Sequence, residues 1–293
     1  MQRLLVLLRL SRPLNVIFAV LTYVLGAGMS RYLGATQNLI VFWLGLGGIL
    51  LAQFSMDLLA EALRSVEQPS ENNEHRAERV VIRNAALMVS IGLLAAAAVI
   101  AILLGRQGVL SPVVLLFLGL SLLLVLAYAV PPLRLVDAGF GEFILAVHIA
   151  MIAPAIGFVL QQGEYHRLVG IVSFPLTLLA LAYFLILDFP TFAIDEKYDR
   201  RTLLRSMGWQ RAVPLHHGLI LGAYLLLSSA LLFGLAWALV WPAFLTLPFA
   251  ILQIFWVRNI ILGAKPIWNL LTVNALAVFG LTAYLLTFAF WLR

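Results

Sequence analysis

Nine long apolar stretches follow one another along the chain, separated by short polar segments. They cover residues 14–34, 38–60, 84–105, 110–130, 140–161, 168–188, 213–238, 240–257 and 267–291. About 20 apolar residues allow a helix to cross a hydrocarbon core roughly 30 Å thick. Open strands would leave backbone groups unpaired in lipid, and the stretches lack the alternation of a membrane barrel. The pattern therefore predicts an all-α integral membrane protein with nine transmembrane helices.

Composition supports one membrane domain over residues 1–293. The chain is 63% hydrophobic and 11% charged, with a mean hydropathy of +1.03. A soluble domain cannot bury so large an apolar fraction, because its surface grows too fast with size. The absence of cysteine excludes disulfides, zinc–thiolate sites and thiol nucleophiles. The opening "MQRLLVLLRLSRP" has no small-residue cleavage site, so we expect a retained interfacial segment.

The formal charge of +6 is unevenly distributed between the two sides of the predicted bundle. Of the 19 Lys and Arg residues, only Arg31, Arg106, Arg167 and Arg293 fall on the side opposite the N-terminus. Short cytoplasmic loops are enriched in Lys and Arg. We therefore expect the N-terminal side to be cytoplasmic, in a multi-pass protein of the cell inner membrane. The cations on that side are Arg3, Arg9, Arg12, Arg64, Arg76, Arg79, Arg83, Arg134, Lys197, Arg200, Arg201, Arg205, Arg211, Arg258 and Lys265.

Acidic residues show the same asymmetry, with Glu164 the one exception among 13. Asp and Glu contribute little to topology, so their segregation requires another cause. Two connections, 61–83 and 188–213, carry most of them. Because these connections are four helices apart, the sequence also suggests a weak four-helix duplication, about 14–130 and 140–257, followed by a ninth helix.

The two acidic connections suit a magnesium-dependent reaction if they face one cavity. Mg²⁺ characteristically binds one or two carboxylates together with phosphate oxygens, and nearby Arg and Lys would neutralise the remaining charge of a diphosphate. Such a site could ionise an allylic diphosphate, while its apolar tail lies between helices. The alternative is that these charges form ordinary solvated loops. Asp188 favours the first interpretation, because it ends the run "YFLILD" and ionisable groups at membrane depth usually line a polar cavity.

The stretch "DFPTFAIDEKYDRRTLLRSMG" at 188–208 resembles a motif of a known family. It is similar to the second aspartate-rich motif of the UbiA superfamily of intramembrane prenyltransferases, commonly (N/D)xxDxxGDxxxGKRTLxxxxG. Asp188 and Asp195 match acidic or amide positions, and "RTL" and Gly208 match its end. An aspartate and two glycines of the motif are replaced in this chain, at Thr191, Ile194 and Asp199.

Three further stretches agree with the family in order along the chain. "SRPLNVIFAVLTYVLGA" at 11–27 resembles its first helix, and "YAVPPLRLVDAGFGE" at 128–142 resembles a segment of the 1,4-dihydroxy-2-naphthoate (quinone-type) branch. "LLAQFSMDLLAEALRS" at 50–65 lies where the first motif belongs. The resemblance implies a bundle around a central, lipid-accessible cavity, Mg²⁺ as cofactor, and transfer of a polyprenyl group from an allylic diphosphate to an aromatic, quinone-precursor-like or other lipid acceptor.

The first motif, usually NDxxDxxxD, is altered in this chain. Our alignment places Ala60 at the amide, Glu61 at the first aspartate and Arg64 at the next. Asp57 and Glu61 are four residues apart and share one helix face, so a shifted pair could still bind one metal. Arg64 would repel Mg²⁺ but could contact the diphosphate directly; the alternative is a loop arginine that reaches the interface.

The candidate site residues are assigned from these motifs. Arg134, Lys197 and Arg201 would hold the diphosphate, and Asn15 and Tyr128 would shape the pocket. The predicted metal ligands are Asp57, Glu61, Asp188 and Asp195, and the predicted catalytic residues are Glu61, Asp188 and Asp195. The predicted substrate-binding residues are Asn15, Arg64, Tyr128, Arg134, Lys197 and Arg201.

Two other functions remain open at this point. Loss of the usual first motif is compatible with a diverged homologue that binds an isoprenoid or quinone, or serves as a subunit of a membrane assembly, without transferring anything. A transporter is less favoured, because the charges concentrate on one side. His75 and the pair His216–His217 have no zinc-type spacing, whereas His148, within the fifth stretch, is either an acceptor-pocket residue or a packing histidine.

Overall fold

A computed structural model describes residues 10–65 and 76–293 of the chain. The N-terminal segment and His75 lie outside these ranges. Within them the protein has helices and no strands, and nine helical segments are long and apolar enough to cross a membrane. These segments are α1 (Pro13–Tyr32), α2 (Leu39–Ala62), α3 (Arg76–Arg106), α4 (Pro112–Ala129), α5 (Gly141–Gln162), α6 (Arg167–Lys197), α7 (Trp209–Phe233), α8 (Trp237–Ile261) and α9 (Trp268–Trp291).

The predicted all-α membrane fold is confirmed, and the largest difference concerns the end of α6. The apolar pattern ended this helix at 188, whereas it continues to Lys197. A short helix, Leu203–Met207, follows before α7 begins at Trp209. The extension keeps Asp188 and Asp195 on one continuous helix. Hydropathy missed it because a helix that borders a polar cavity does not need apolar residues on that face.

Irregular turns interrupt three segments internally, and a fourth, α7, ends in a 3₁₀ turn, Ala230–Phe233. Within α5, the residues His148–Ile152 form a π-helical turn, and within α9 a second π turn covers Ala277–Leu281. In α8 a 3₁₀ turn, Trp241–Thr246, separates two α-helical parts. Extra residues inserted in a helix as π turns often occur at functional sites, because they re-aim the side chains that follow.

The interior of the bundle is formed mainly by α1, α5 and α6, while α3 lies at the periphery with most of its surface exposed. Gly26 and Gly157 mark the closest approach of α1 and α5. A Cβ atom at Gly26 would lie 1.9 Å from the Pro154 carbonyl oxygen, and one at Gly157 would lie 2.2 Å from the Tyr23 carbonyl oxygen. Only glycine permits this spacing, in agreement with the role of small residues in packing membrane helices.

Candidate functional site

One end of the bundle contains a cavity of about 480 Å³. Its walls come from α1, α5, α6, the segment between α4 and α5, and the loop after α6. The polar end carries four arginines and four acidic residues, and the apolar part includes Leu145, Phe184 and Leu187. The charged residues of the lining are Arg12, Arg64, Asp137, Glu142, Asp188, Asp195, Arg200 and Arg201.

One face of α6 supplies the acidic wall of the cavity. Asp188, Thr191 and Asp195 are spaced three and four residues apart, so their side chains point to the same side of the helix. The Thr191 hydroxyl donates to Asp195 Oδ2 at 2.7 Å, and Arg200 Nη1 lies 3.4 Å from Asp195 Oδ1. Asp195 is therefore held in place by its own helix and by the loop that follows.

Asp188 is held less completely. Its Oδ2 atom is buried and has no hydrogen-bond partner. The carboxyl group of Glu142 lies within hydrogen-bonding range of Asp188, and the Asp195 carboxyl group and the Arg12 guanidinium interact with Asp188 electrostatically. Glu142, in the first turn of α5, also accepts a bond from the Leu203 amide at 3.3 Å. Two neighbouring carboxylates in a partly buried site repel each other unless a proton or a cation lies between them.

Two arginines of this cavity form ion pairs, and Arg64 is the more buried of the two. Its Nη1 atom lies 3.0 Å from Glu61 Oε2, and Arg83 donates to its carbonyl oxygen at 2.9 Å. Burial lowers the pKa of Arg64 to about 10, with the charge of Glu61 opposing the shift. Because this pKa is still well above 7, Arg64 carries its charge at neutral pH. The cavity therefore presents a fixed cation beside Arg12, which lines the same wall.

The structure brings six of the sequence-predicted site residues to the cavity and leaves four outside its lining. Asp57 accepts bonds from Asn15 and Gln53, while Glu61 pairs with Arg64. The lining includes Asn15, Arg64, Tyr128, Asp188, Asp195 and Arg201. The residues outside the lining are Asp57, Glu61, Arg134 and Lys197.

The contacts of the last two residues differ from the predicted diphosphate binding. Arg134 binds the side chain of Asp137 and the carbonyl oxygen of Leu63, so it joins the end of α2 to the segment before α5. Its Nη2 atom is buried without a hydrogen bond. Lys197 is exposed and stacks on Tyr198, with Nζ 5.3 Å from the ring centroid. Arg134 thus braces the cavity, and Lys197 does not line it.

The carboxylates fit a divalent cation only together with a phosphate ligand. Among the described residues, no group of three or more His, Asp or Glu side chains is arranged to hold a metal ion. The predicted convergence of Glu61 with Asp188 and Asp195 around one ion is therefore not seen in this arrangement. The unpartnered Asp188 Oδ2 atom beside Glu142 does match the one or two protein carboxylates that Mg²⁺ takes when phosphate oxygens complete its shell.

The loop after α6 keeps a backbone feature of the resembled motif. Asp199 stands where the motif has glycine, and its φ of 53° lies in the left-handed region. Aspartate is among the few residues other than glycine that adopt this conformation readily. Its Oδ1 atom accepts from Arg205 Nη2 at 2.7 Å, and Arg205 also donates to the Arg200 carbonyl oxygen at 3.0 Å. This closed loop presents Arg200 and Arg201 to the cavity.

Sequence reasoning missed several residues of this cavity. Arg12 and Glu142 were within stretches that resembled the family, yet neither was assigned a role. Arg200 precedes the predicted Arg201 and pairs with Asp195. A signal for Glu142 was available, since it is an acidic residue in the first turn after a glycine-rich turn. His148 lies outside the lining of the cavity and binds Ser121 and Gln53.

A second cavity, of about 470 Å³, lies among α2, α3, α4 and α5. Its lining is apolar apart from Ser121 and includes Gly45 and Gly48 of the "GLGG" stretch. A Cβ atom at Gly45 would lie 2.4 Å from Tyr23 Oη, so this glycine permits close helix packing. No charged residue lines this second cavity.

The fold matches solved membrane proteins over almost the whole chain. A structure from work on digeranylgeranylglyceryl phosphate synthase in membranes aligns with a TM-score of 0.70 at 15% identity and covers 100% of both chains. A UbiA homologue from Archaeoglobus fulgidus, bound to GPP and Mg²⁺, aligns with a TM-score of 0.63 at 17% identity and covers 98% of this chain and 99% of the other. The same homologue bound to DMAPP and Mg²⁺ gives a TM-score of 0.60 at 15% identity, covering 96% and 98%.

Sequence comparison agrees with the fold. Among curated proteins, none matches this chain significantly. A model of the UbiA prenyltransferase family matches residues 70–267, which is more than half of the chain and includes the segment before α5, all of α6 and the loop that follows. The chain therefore belongs to the UbiA prenyltransferase family.

Proposed function

We propose that this protein transfers a polyprenyl group from an allylic polyprenyl diphosphate to an aromatic, quinone-precursor-like or other lipid acceptor within the membrane. The observation that carries the proposal is the cavity in which arginines, an unpartnered Asp188 oxygen and an apolar wall meet at one end of a membrane bundle. A prenyl diphosphate has a charged head group and an apolar tail, so its binding site needs both a charged end and an apolar wall. Homologous structures bound to GPP or DMAPP with Mg²⁺ support it.

The arginines account for binding of the diphosphate. Arg64 and Arg201 line the polar end, and guanidinium groups bind phosphate oxygens through paired hydrogen bonds. Phe184, Leu187 and Leu145 line the apolar part, where the first isoprene units would lie. Holding the diphosphate at one end and the chain at the other fixes the C–O bond that must break between them.

Asp188 and Glu142 would hold Mg²⁺, with Asp195 as their neighbour. When bound, Mg²⁺ supplies positive charge that stabilises the departing pyrophosphate. Asp195 keeps Arg200 beside this position through their 3.4 Å contact. Positive charge that is already in place when negative charge develops on the leaving group lowers the barrier, because no reorganisation is needed at that moment.

The nearest branch that we propose is the quinone type, whose 1,4-dihydroxy-2-naphthoate members share the pattern at 128–142. In this chain the segment contributes Tyr128, Val136 and Gly141 to the cavity. An acceptor ring would lie against Tyr128 and Tyr183, two aromatic side chains of the lining. Menaquinone precursors are therefore the first acceptors to test.

The direct test is pyrophosphate release from labelled prenyl diphosphates by the protein in nanodiscs, with and without Mg²⁺. We expect Mg²⁺-dependent release that increases when 1,4-dihydroxy-2-naphthoate or another quinone precursor is added. Release at background level across several chain lengths and acceptors, together with a bound isoprenoid in the purified protein, would instead identify a lipid-binding homologue without transferase activity.

We further propose that the N-terminus and both acidic connections face the cytoplasm. The asymmetry of Lys and Arg motivates this orientation. Reporter fusions after Arg106 and after Arg205 are expected to report opposite sides of the membrane, the second one cytoplasmic. Fusions that report the same side would contradict the proposed topology.

A further inference from the structure

Five buried polar side chains form a continuous chain of hydrogen bonds across the interior of the bundle. Ser121 Oγ lies 2.9 Å from His148 Nε2, and His148 Nδ1 lies 3.0 Å from Gln53 Oε1. Gln53 Nε2 donates to Asp57 Oδ2 at 3.1 Å, and Asn15 Nδ2 donates to Asp57 Oδ1 at 3.3 Å. None of the five is more than 5% exposed. We call them the buried relay.

The donor and the acceptor of each hydrogen bond in the buried relay can be assigned. The Asp57 carboxylate accepts from two amides, so the Gln53 nitrogen faces it and the Gln53 oxygen faces His148. That oxygen can bond only to a protonated Nδ1 atom. In a neutral ring the Nε2 atom of His148 must then accept, and Ser121 must donate. The arrangement therefore requires the Nδ1–H tautomer of His148.

The backbone around His148 is shaped to hold this arrangement. His148 is the first residue of the π turn in α5, and Thr22 of α1 donates to the Ile149 carbonyl oxygen at 2.5 Å. Thr22 and Asn15 are seven residues apart, hence on the same face of α1. The helix α1 is thus attached to its neighbours at two levels, through Thr22 and through Asn15.

The buried relay ends at the cavity that we assign to the diphosphate. Asn15 lines this cavity, and Asp57 lies within electrostatic range of Arg12, which lines it as well. Polar side chains inside a membrane protein are costly unless fully bonded, and they are typical of functional regions.

We propose that Gln53 and His148 are positioning residues that orient the Asp57 carboxylate, so that Asp57 holds Arg12 and Asn15 at the diphosphate end of the cavity. This inference rests on the proposed function. Under this proposal Asp57 is not a metal ligand. It acts by holding the Arg12 guanidinium and the Asn15 amide. Interactions of this kind are present both before and during bond breaking, so their loss weakens binding of the diphosphate more than it slows the chemical step.

The first measurement is the tautomer of His148, read by NMR in protein with ¹⁵N-labelled histidine. The chain has five histidines, and the His148→Gln variant identifies the signal. We expect a neutral ring with the proton on Nδ1. A proton on Nε2, or on both nitrogens, would overturn the direction of the buried relay, whether or not the protein is a transferase.

The second measurement is binding of geranyl diphosphate with Mg²⁺ to wild-type and variant protein in nanodiscs. Gln53→Leu should weaken binding by about tenfold, because Asp57 loses one bond to its charged group. His148→Leu should have an effect of similar size, because it leaves the buried Gln53 Oε1 atom without a donor. The matched variant His148→Gln keeps a donor toward Gln53 and should remain within about threefold of wild type. His216→Leu is the control, because His216 is equally buried in α7 and outside the buried relay.

The outcomes separate this inference from the proposed function. Wild-type protein that binds geranyl diphosphate, with His148→Leu and His216→Leu binding equally well, would overturn the positioning role alone. Wild-type protein without binding or turnover would overturn the proposed function. If His148→Leu does not fold, Ser121→Ala replaces it, since loss of this donor should move the His148 ¹⁵N signals and weaken binding in the same direction.

Discussion

Replacing Asp188 with asparagine is expected to lower the rate of prenyl transfer by at least about a hundredfold, the loss typical of removing one group that stabilises developing charge. Asparagine keeps the size of the side chain and removes the negative charge beside the unpartnered Oδ2 position. Binding of the prenyl diphosphate should persist, because Arg64 and Arg201 remain in the cavity. Turnover at saturating prenyl diphosphate and Mg²⁺ measures this effect.

Glu164→Gln is the matched control for Asp188→Asn. It also removes one carboxylate charge, but Glu164 is exposed in the connection between α5 and α6, far along α5 from Glu142. We expect wild-type turnover from this variant. More than a tenth of wild-type turnover in Asp188→Asn would contradict the role proposed for Asp188.

The second large effect is expected from Arg64→Asp, which should abolish turnover. This change restores the residue that the family motif usually has at our aligned position, so a site that had lost a metal ligand should gain activity. The structure favours the opposite result, because Arg64 pairs with Glu61 and contributes positive charge to the cavity. A new carboxylate beside Glu61 would repel both that residue and the diphosphate.

Two control variants, Arg64→Lys and Arg167→Asp, are needed to interpret the turnover of Arg64→Asp. Arg64→Lys keeps the charge without the paired donors, so it should retain part of the diphosphate affinity. Arg167→Asp reverses an exposed charge at the start of α6, on the opposite side of the bundle, and should leave turnover unchanged. Higher turnover in Arg64→Asp, with a greater requirement for Mg²⁺, would show that position 64 is a metal-ligand position.

The membrane fold followed directly from hydropathy, because lipid leaves few alternatives to helices. The residues at which the helices end could not be predicted from hydropathy. The helix α6 extends to Lys197 with Thr191 bonded to Asp195 on its polar face, and no hydropathy window detects such an extension. The four-helix duplication stays a prediction, since it concerns the history of the chain rather than its contacts.

The site could be predicted as a region but not as a set of contacts. Asp188 and Asp195 were identified from their position after an apolar run and from the resembled motif, and both line the cavity. Glu61 was expected to face them, yet its carboxylate pairs with Arg64 at 3.0 Å. Which cation a carboxylate selects depends on rotamers and on neighbouring helices, and neither is encoded in motif spacing.

Glu142 illustrates a second limit. Its carboxylate approaches Asp188 because the first turn of α5 packs against α6, and it also accepts from the Leu203 amide of the short helix after α6. The two residues are 46 positions apart, and nothing in the spacing relates them. Long-range contacts of this kind require the packed bundle.

The central claim is that the polar end of the cavity binds a prenyl diphosphate. A structure of the protein in nanodiscs, with a geranyl diphosphate analogue that cannot ionise and with Mg²⁺, tests this claim most directly. The account predicts diphosphate oxygens bound by Arg64 and Arg201, a metal ion in contact with Asp188 Oδ2, and the isoprenyl chain along Phe184 and Leu187. A diphosphate bound elsewhere, with Asp188 still free of metal, would contradict it.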